Sequence, residues 1–140
     1  MQIQMELSRI LIREVVDHQI IELRETEPLP GEPPRTFPIV IGLPEAQAIE
    51  RRLKGVEIRR PQTHDLLANL IDALGASLES IAIHELSDNT FFASLKLETQ
   101  QGETIEVDSR PSDAIALGIA GGVPIFVAEH VLESASRDPG

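Results

Sequence analysis

Apolar and polar residues alternate with a period of two through the middle of the chain, a pattern typical of strands that bury one face. Apolar residues at positions 91, 93, 95 and 97 alternate with a mixed set at positions 92, 94, 96 and 98. The stretches "SDNT" (87–90) and "QQGE" (100–103) have the composition of hairpin turns. The pattern therefore predicts a three-strand antiparallel meander whose apolar positions begin at Ile81 and end at Val107.

The first third of the chain also predicts strands. Residues 3–16 are rich in β-branched and other apolar side chains, and the parity of these positions changes near Ser8, which predicts a β-bulge. A second strand is predicted at 18–23, and a short third strand contains Pro38, which indicates an edge strand or a strand start. Residues 24–35 hold four prolines and a glycine, and this composition predicts a mobile loop.

Two segments have the 3.6-residue spacing of helices. The first lies between Gly42 and Gly55, and the second glycine suits a left-handed helix stop. The second helix is predicted to begin at Thr63, a residue type that caps helix N-termini, and to stop at Gly75. Its apolar stripe is predicted to face the core and consists of Leu66, Leu67, Leu70, Ile71 and Leu74.

A strand–helix–strand pattern follows the meander. A helix is predicted from about Pro111 to Ala120, Gly121 and Gly122 end it, and "PIFVA" (124–128) predicts the next strand. About fourteen residues connect the two strands, which is enough for a right-handed crossover between parallel strands. A short last helix is predicted over "EHVLESAS".

These elements predict one α+β domain over residues 1–140, with its core at about 5–135. A chain of 140 residues is long enough to bury a single apolar core. The predicted architecture is a mixed sheet that contains the three-strand antiparallel meander, with three to four helices packed on it.

Composition narrows the classes of function. The chain has no cysteine, which excludes disulfides and thiolate zinc sites and favours a cytoplasmic location. Its 12 basic and 23 acidic residues give a net charge of −11, which disfavours non-specific binding to nucleic acid. Four phenylalanines, with no tryptophan or tyrosine, argue against a base-stacking platform. No apolar run approaches the ~20 residues of a membrane span, so no membrane partner is expected.

The stretch "VDSRPSDA" places several polar residues where a strand is predicted to pass into a helix. Asp108 leaves the core face by its parity, and Arg110 suits a bidentate contact with phosphate or carboxylate. The start of a helix also attracts anions. The same residues fit plain capping, with Ser109 or Ser112 as the N-cap and Asp113 opposite the helix dipole. Both interpretations stay open at this point.

Two further segments carry candidate chemistry. His64 and Asp65 begin the second helix, where they suit general acid–base catalysis or metal binding, or simply a capped helix with a solvated histidine. A basic run covers the end of the first predicted helix and the segment after it, where it suits docking of a phosphate backbone or a solvated helix end. Its members are Arg51, Arg52, Lys54, Arg59 and Arg60.

The stretches "RRPQTHDLLANLIDALGA", "DNTFFASL" and "EVDSRPSDAIALGIAGGVPIFVAEHVL" together resemble the bifunctional nuclease domain family. The upstream stretch "IVIGLPEAQAIERRLKGVE" also fits the family, so the resemblance covers roughly residues 5 to 135. Two features depart from the family's usual pattern: loop 24–35 is richer in proline, and Ser109 stands where alanine is usual.

The resemblance implies a hydrolase that cleaves phosphodiester bonds in RNA or DNA, and it implies a homo-oligomer. The site residues that it implies are Glu45, His64, Asp65, Asp108, Arg110, Ser112 and Asp113. A nuclease would need carboxylates for Mg²⁺ or Mn²⁺ and a group that activates water, and no organic cofactor is expected.

Roles follow from these residue types. Asp108, Asp113 and Asp65 are the predicted metal ligands, and Glu45 is a possible further carboxylate. His64 is predicted to activate water. The predicted substrate-binding residues are Arg110, Ser112, Arg59 and Arg60. The alternative is a non-catalytic, oligomeric module that binds a ligand or protein, in which the same blocks cap helices and build a subunit interface.

Overall fold

The computed structural model describes residues 1–137, which form one mixed seven-stranded sheet and four α-helices. This confirms the predicted α+β class. None of the helices in this part of the chain combines the length and apolar character needed to cross a membrane. The strands are β1 (Gln2–Leu11), β2 (His18–Glu25), β3 (Thr36–Gly42), β4 (Ser77–Ser87), β5 (Thr90–Glu98), β6 (Thr104–Ser109) and β7 (Ile125–Ala128). The helices are α1 (Leu43–Lys54), α2 (Thr63–Ala73), α3 (Pro111–Gly118) and α4 (Glu129–Arg137), and a 3₁₀ turn (Ile119–Gly121) follows α3.

The strand order is β3-β2-β1-β7-β4-β5-β6, so two antiparallel meanders lie on either side of β7. The predicted meander is confirmed as β4-β5-β6. Strand β7 pairs antiparallel with β1 and parallel with β4. The crossover through α3 therefore joins two strands of the same direction, as predicted, but it passes over β5 and β4 rather than joining neighbours.

Several irregularities of the sheet lie where the sequence predicted them. The register of β1 against β2 shifts between Leu7 and Arg9, which confirms the predicted bulge. Pro38 lies in the edge strand β3, where no neighbouring strand needs its missing N–H. Asp88 and Asn89 have φ values of +51° and +61°, which is the left-handed geometry of a tight two-residue hairpin turn.

The helices cover one face of the sheet, and the apolar core lies between the helices and this face. Isoleucines at equivalent positions of β4 and β7, such as Ile81 and Ile125, are buried beneath α3 and α4. The sheet curls strongly. Four strands separate β3 from β5 in the strand order, yet Phe37 on β3 and Phe91 on β5 stack with ring centroids 5.5 Å apart. This curl creates an open cleft between the β3 edge and the β4–β5 hairpin.

Helix α2 does not pack as the sequence predicted. Leu66, Leu67, Leu70 and Leu74 are between 40% and 81% exposed, whereas the predicted stripe placed them in the core. The face that packs inward instead carries His64, Asp65, Ala68 and Ile71. The physical reason is that the polar first turn of α2 is held inward by ion pairs to α1 and α3, and this fixes the rotation of the whole helix.

Two predicted helix caps are also corrected. Gln62, rather than Thr63, precedes α2, and the Asp65 carboxylate accepts the backbone N–H of Gln62 at 3.0 Å. Neither serine caps α3, because Arg110 occupies that position and provides no side-chain cap. The polar residues around Arg110 are therefore engaged in other contacts.

Candidate functional site

Three helix N-termini meet at one place on the molecule. Glu45 lies in the first turn of α1, His64 in the first turn of α2 and Asp113 in the first turn of α3, while Arg110 immediately precedes α3. Helix N-termini carry partial positive charge, which favours carboxylates and bound anions. Gly42 makes room for this arrangement, since a Cβ at this position would lie 2.5 Å from a carboxylate oxygen of Glu45.

These four side chains form a continuous hydrogen-bonded chain, which we call the four-residue cluster. His64 Nε2 lies 2.9 Å from Asp113 Oδ1. The guanidinium of Arg110 donates to both oxygens of Asp113, from Nε at 2.8 Å and from Nη2 at 3.2 Å. Arg110 Nη1 reaches Glu45 Oε1 at 3.2 Å. Arg110 therefore bridges two carboxylates, and Asp113 bridges arginine and histidine.

Burial differs along the cluster. The side chain of His64 is only 12% exposed, whereas that of Arg110 is 63% exposed. Burial alone would raise the pKa of Asp113, but the hydrogen bonds from Arg110 and His64 outweigh it and hold this pKa below its ordinary value. Asp113 raises the pKa of Arg110 in return. The cluster thus combines a sheltered His–Asp pair with an accessible cation that stays charged.

Asp65 lies next to His64 in sequence but contacts a different set of groups. Its carboxylate pairs with Arg51 at 2.7 Å and with Arg52 at 2.5 Å. Arg52 also donates to the carbonyl oxygens of Ala116 and Leu117 at 2.6 and 3.0 Å, so it ties α1 and α2 to the end of α3. Burial opposes ionisation of Asp65, but the Gln62 amide and the two arginines lower its pKa overall. This position fixes the direction in which His64 points.

Asp108 is separated from the cluster by the sheet itself. It pairs with Ser94 in the β5–β6 ladder, on the face opposite Val107 and Leu95 and away from the helices. The residue is exposed, and its side chain makes no hydrogen bond or ion pair with any residue in 1–137. Val107 itself lies on the core side but is 41% exposed, because β6 is an edge strand.

The predicted basic run divides into two kinds of residue. Arg51 and Arg52 are used in the contacts with Asp65, and Lys54 lies 3.8 Å from Glu50. Arg59 and Arg60 are exposed in the segment between α1 and α2 and form no ion pair within the described chain. Within the basic run, these two residues are therefore the ones whose charge is not used in a described ion pair.

The predicted metal ligands are not brought together. Asp65 pairs with arginines of α1, Asp113 pairs with Arg110 and His64, and Asp108 lies across the sheet. Residues 1–137 contain no group of three or more histidine or acidic side chains arranged to hold a metal ion. The two carboxylates of the cluster both contact the guanidinium of Arg110, which lies between them, so this donor set does not fit a divalent cation.

Ser112 connects the cluster with the open cleft. It is only 5% exposed, and its hydroxyl has no hydrogen-bond partner within the described residues. Ser112 and Arg110 line one part of the cleft, whose volume is about 730 Å³. Sequence reasoning missed this cleft, because its walls come from β3 and β5, which meet only through the curl of the sheet.

Comparison with known proteins identifies the family. The model of the bifunctional nuclease domain matches residues 29–139, nearly four fifths of the chain. The chain belongs to the bifunctional nuclease domain family. The matched range begins after β2 and contains every member of the four-residue cluster. The family assignment that the sequence motifs predicted is therefore confirmed.

The relatives differ in length from this bifunctional nuclease domain. An uncharacterized protein of Mycobacterium tuberculosis is 46% identical over 101 residues, which cover 72% of this chain and 59% of that protein. Bifunctional nuclease 2 of Oryza sativa subsp. japonica is 30% identical over 94 residues, which cover 65% and 29% respectively. Bifunctional nuclease 1 of Arabidopsis thaliana is 24% identical over 100 residues, covering 70% and 31%. The chain thus spans about three fifths of the mycobacterial relative and under a third of the plant nucleases.

Proposed function

We propose that this domain hydrolyses phosphodiester bonds in RNA or DNA at the four-residue cluster. The observation that carries the proposal is the sheltered His64–Asp113 pair, joined through Asp113 to the exposed cation Arg110. The names of the plant relatives support the reaction class. Acid–base chemistry beside a phosphate-binding cation is what such a reaction requires.

We assign a task to each member of the cluster. When His64 donates its Nε2 proton to Asp113, the other ring nitrogen, Nδ1, is free to take a proton from an attacking water or hydroxyl. Asp113 then stabilises the positive charge that develops on the ring. Arg110, which is 63% exposed, exchanges part of its contact with the carboxylates for phosphate oxygens. Glu45 holds the guanidinium in place from the other side.

Nucleic acid is the proposed partner, and Arg59 and Arg60 are the proposed docking residues for its backbone. These two arginines are exposed and unpaired within the described part of the chain, whereas Arg51 and Arg52 are committed to Asp65. In a chain with a net charge of −11, docking through two arginines favours weak binding of the polyanion with a shallow dependence on salt concentration.

A divalent metal, Mg²⁺ or Mn²⁺, was expected from the carboxylates in the sequence. Metal dependence was predicted from the sequence and is untested, but it is not part of this proposal and no step is assigned to a metal, because Asp65, Asp108 and Asp113 lie in three separate environments. A metal that bound at the cluster would first have to displace Arg110 from Asp113 or Glu45.

The direct test is a cleavage assay of highly purified protein on single-stranded RNA and DNA oligonucleotides, with and without EDTA. We expect cleavage in both conditions, and we expect Asp108→Asn to cut within about twofold of wild type because Asp108 lies across the sheet from the cluster. Loss of activity in EDTA together with loss in Asp108→Asn would instead place Asp108 in a metal site. No cleavage in any condition would favour the non-catalytic binding module.

We also infer that the domain self-associates through α2. Leu66, Leu67, Leu70 and Leu74 form an exposed apolar face, which a soluble monomer rarely leaves open. A second copy of the chain would cover it, and the same face would serve the alternative function as a binding module.

Leu70→Glu should therefore shift the mass measured by light scattering towards the monomer. Leu70 is 50% exposed, so a carboxylate there costs the fold little but is costly in an apolar interface. Asn69→Glu is the matched control, since Asn69 is an exposed polar residue of the same helix. A wild-type monomer at micromolar concentration, or equal masses for wild type and Leu70→Glu, would contradict this inference.

A further inference from the structure

An open cleft lies between β3 and the β4–β5 hairpin, beside the four-residue cluster. Its volume of about 730 Å³ lies within the usual range of small-molecule sites, roughly 300–1,000 Å³. Its walls are mainly apolar and include Ile39, Ile41, Leu86, Phe91 and Ala135. A surface of this kind suits a flat, largely apolar group rather than a bare ion.

Polar groups are concentrated where the cleft meets the cluster. Arg110 is the one Lys or Arg among the lining residues, and the other ionisable residues of the lining are Asp17 and His18. Ser112, at the start of α3, is 95% buried as a residue, and its hydroxyl has no partner within residues 1–137. Beside these side chains, the first amides of α3 have no acceptor within the helix. This corner therefore offers a cation, a free hydroxyl and a helix N-terminus to an anion.

We propose that this cleft is a nucleobase subsite, which holds the base attached to the phosphate that Arg110 and Ser112 bind. The inference rests on the proposed function, because it takes Arg110 as the phosphate-binding residue. It goes further by naming what recognises the rest of the substrate: an apolar slot with an aromatic wall at Phe91.

The lining favours this occupant over others by its charge and its shape. A nucleotide pairs one anionic group with one flat ring, which matches one cationic corner and one apolar slot. Phe91 is backed by Phe37 at 5.5 Å, so its ring is held in place as a wall. Asn89, Thr90 and Ser134 supply hydrogen-bonding groups at the rim for the edge of a base. A base in the slot cannot remain stacked in a duplex, so the substrate must present it unpaired.

The test compares binding of uridine monophosphate and ribose 5-phosphate to the full chain by calorimetry, with three proteins. Base stacking is worth enough to make the nucleotide bind about tenfold more tightly than the sugar phosphate in wild type. Ser134→Trp places a large side chain at the rim of the cleft from an exposed position and should abolish that difference. Glu133→Trp adds the same side chain at the neighbouring exposed position, which does not line the cleft, and should preserve it.

The outcomes separate this inference from the proposed reaction. Tighter nucleotide binding that Ser134→Trp removes and Glu133→Trp retains supports the subsite, whether or not the protein cleaves oligonucleotides. Equal affinity of wild type for the two probes overturns the subsite, even if the protein proves to be an active nuclease. Tighter nucleotide binding that survives Ser134→Trp also overturns it, because the base is then held elsewhere.

Discussion

His64→Gln is expected to lower the rate of phosphodiester cleavage by about 10²- to 10⁴-fold, the usual contribution of a positioned acid–base group. Glutamine keeps an amide near Asp113 but cannot take up a proton at neutral pH. The side chain of His64 is only 12% exposed and lies 2.9 Å from Asp113, so a polar replacement of similar size preserves the packing of α2 better than alanine. The measurement is single-turnover cleavage of an end-labelled oligonucleotide.

Two comparisons make this result informative. His84→Gln changes an exposed histidine of β4 whose side chain makes no hydrogen bond within the described residues, and this variant should cleave like wild type. A contaminating nuclease would give the same rate in all three preparations, which would refute the assignment of His64. Equal melting temperatures of the His64→Gln and wild-type proteins would show that the loss arises from chemistry rather than unfolding.

Arg52→Met is expected to destabilise the domain by about 3 kcal/mol, the scale for breaking a buried ion pair from one side. Arg52 is 10% exposed and contacts Asp65 together with the carbonyl oxygens of Ala116 and Leu117. Methionine fills a similar length without any donor, so two carbonyls and part of a carboxylate lose their partner. For a domain of this size the melting temperature should fall by roughly 10 °C, measured by calorimetry.

The control for this effect is Lys54→Met, which removes a cation two residues away in the same helix. Lys54 is 63% exposed and lies 3.8 Å from Glu50, so its loss should cost no more than about 0.5 kcal/mol. The loss of stability in Arg52→Lys should lie between those of Arg52→Met and Lys54→Met, because an ammonium group keeps the charge but cannot donate to three acceptors in one plane. Similar melting temperatures for Arg52→Met and Lys54→Met would show that the contacts of Arg52 add nothing to stability.

Acid should weaken the contact between Asp65 and Arg52 in the wild-type protein. The folded state holds the pKa of Asp65 below its ordinary value of 3.8, so the unfolded chain takes up a proton first as the pH falls. The stability contributed by this carboxylate is complete above about pH 3.8 and is lost as the pH falls through the folded-state pKa. In Asp65→Asn, the free energy of unfolding should therefore fall less steeply than in wild type as the pH is lowered through this range.

Elements governed by local chemistry could be predicted from the sequence. The bulge near Ser8, the Asp88-Asn89 turn, the stop at Gly55 and the edge position of Pro38 each depend on a few neighbouring residues, and each was found. The rotation of α2 was predicted wrongly, because a stripe of leucines shows that a helix has an apolar face but does not show whether this face packs against the core. In this fold the rotation of α2 is set by the contacts of Asp65 and His64, whose partners lie in α1 and α3.

The candidate site was predictable as a set of residues but not as an arrangement. Glu45, His64 and Asp113 lie in three helices and Arg110 directly precedes α3, and no spacing in the sequence shows that the N-termini of these helices converge. Asp108 and Asp113 are near in sequence but lie on opposite faces of the sheet, since the chain passes from β6 into α3 between them. Proximity along the chain was therefore a poor guide to a shared site.

The position of β7 has a consequence for the order in which the sheet can be completed. This strand is the last of the seven in sequence, and it supplies the backbone hydrogen bonds that join β1 to β4. During synthesis, β1 to β3 and β4 to β6 can each form a local meander, but no strand links them until Ile125–Ala128 leaves the ribosome. Until then the inner edges of β1 and β4 remain open to strands of other nascent chains. The two open edges of this sheet are therefore most exposed to pairing with other chains in the interval before β7 has left the ribosome.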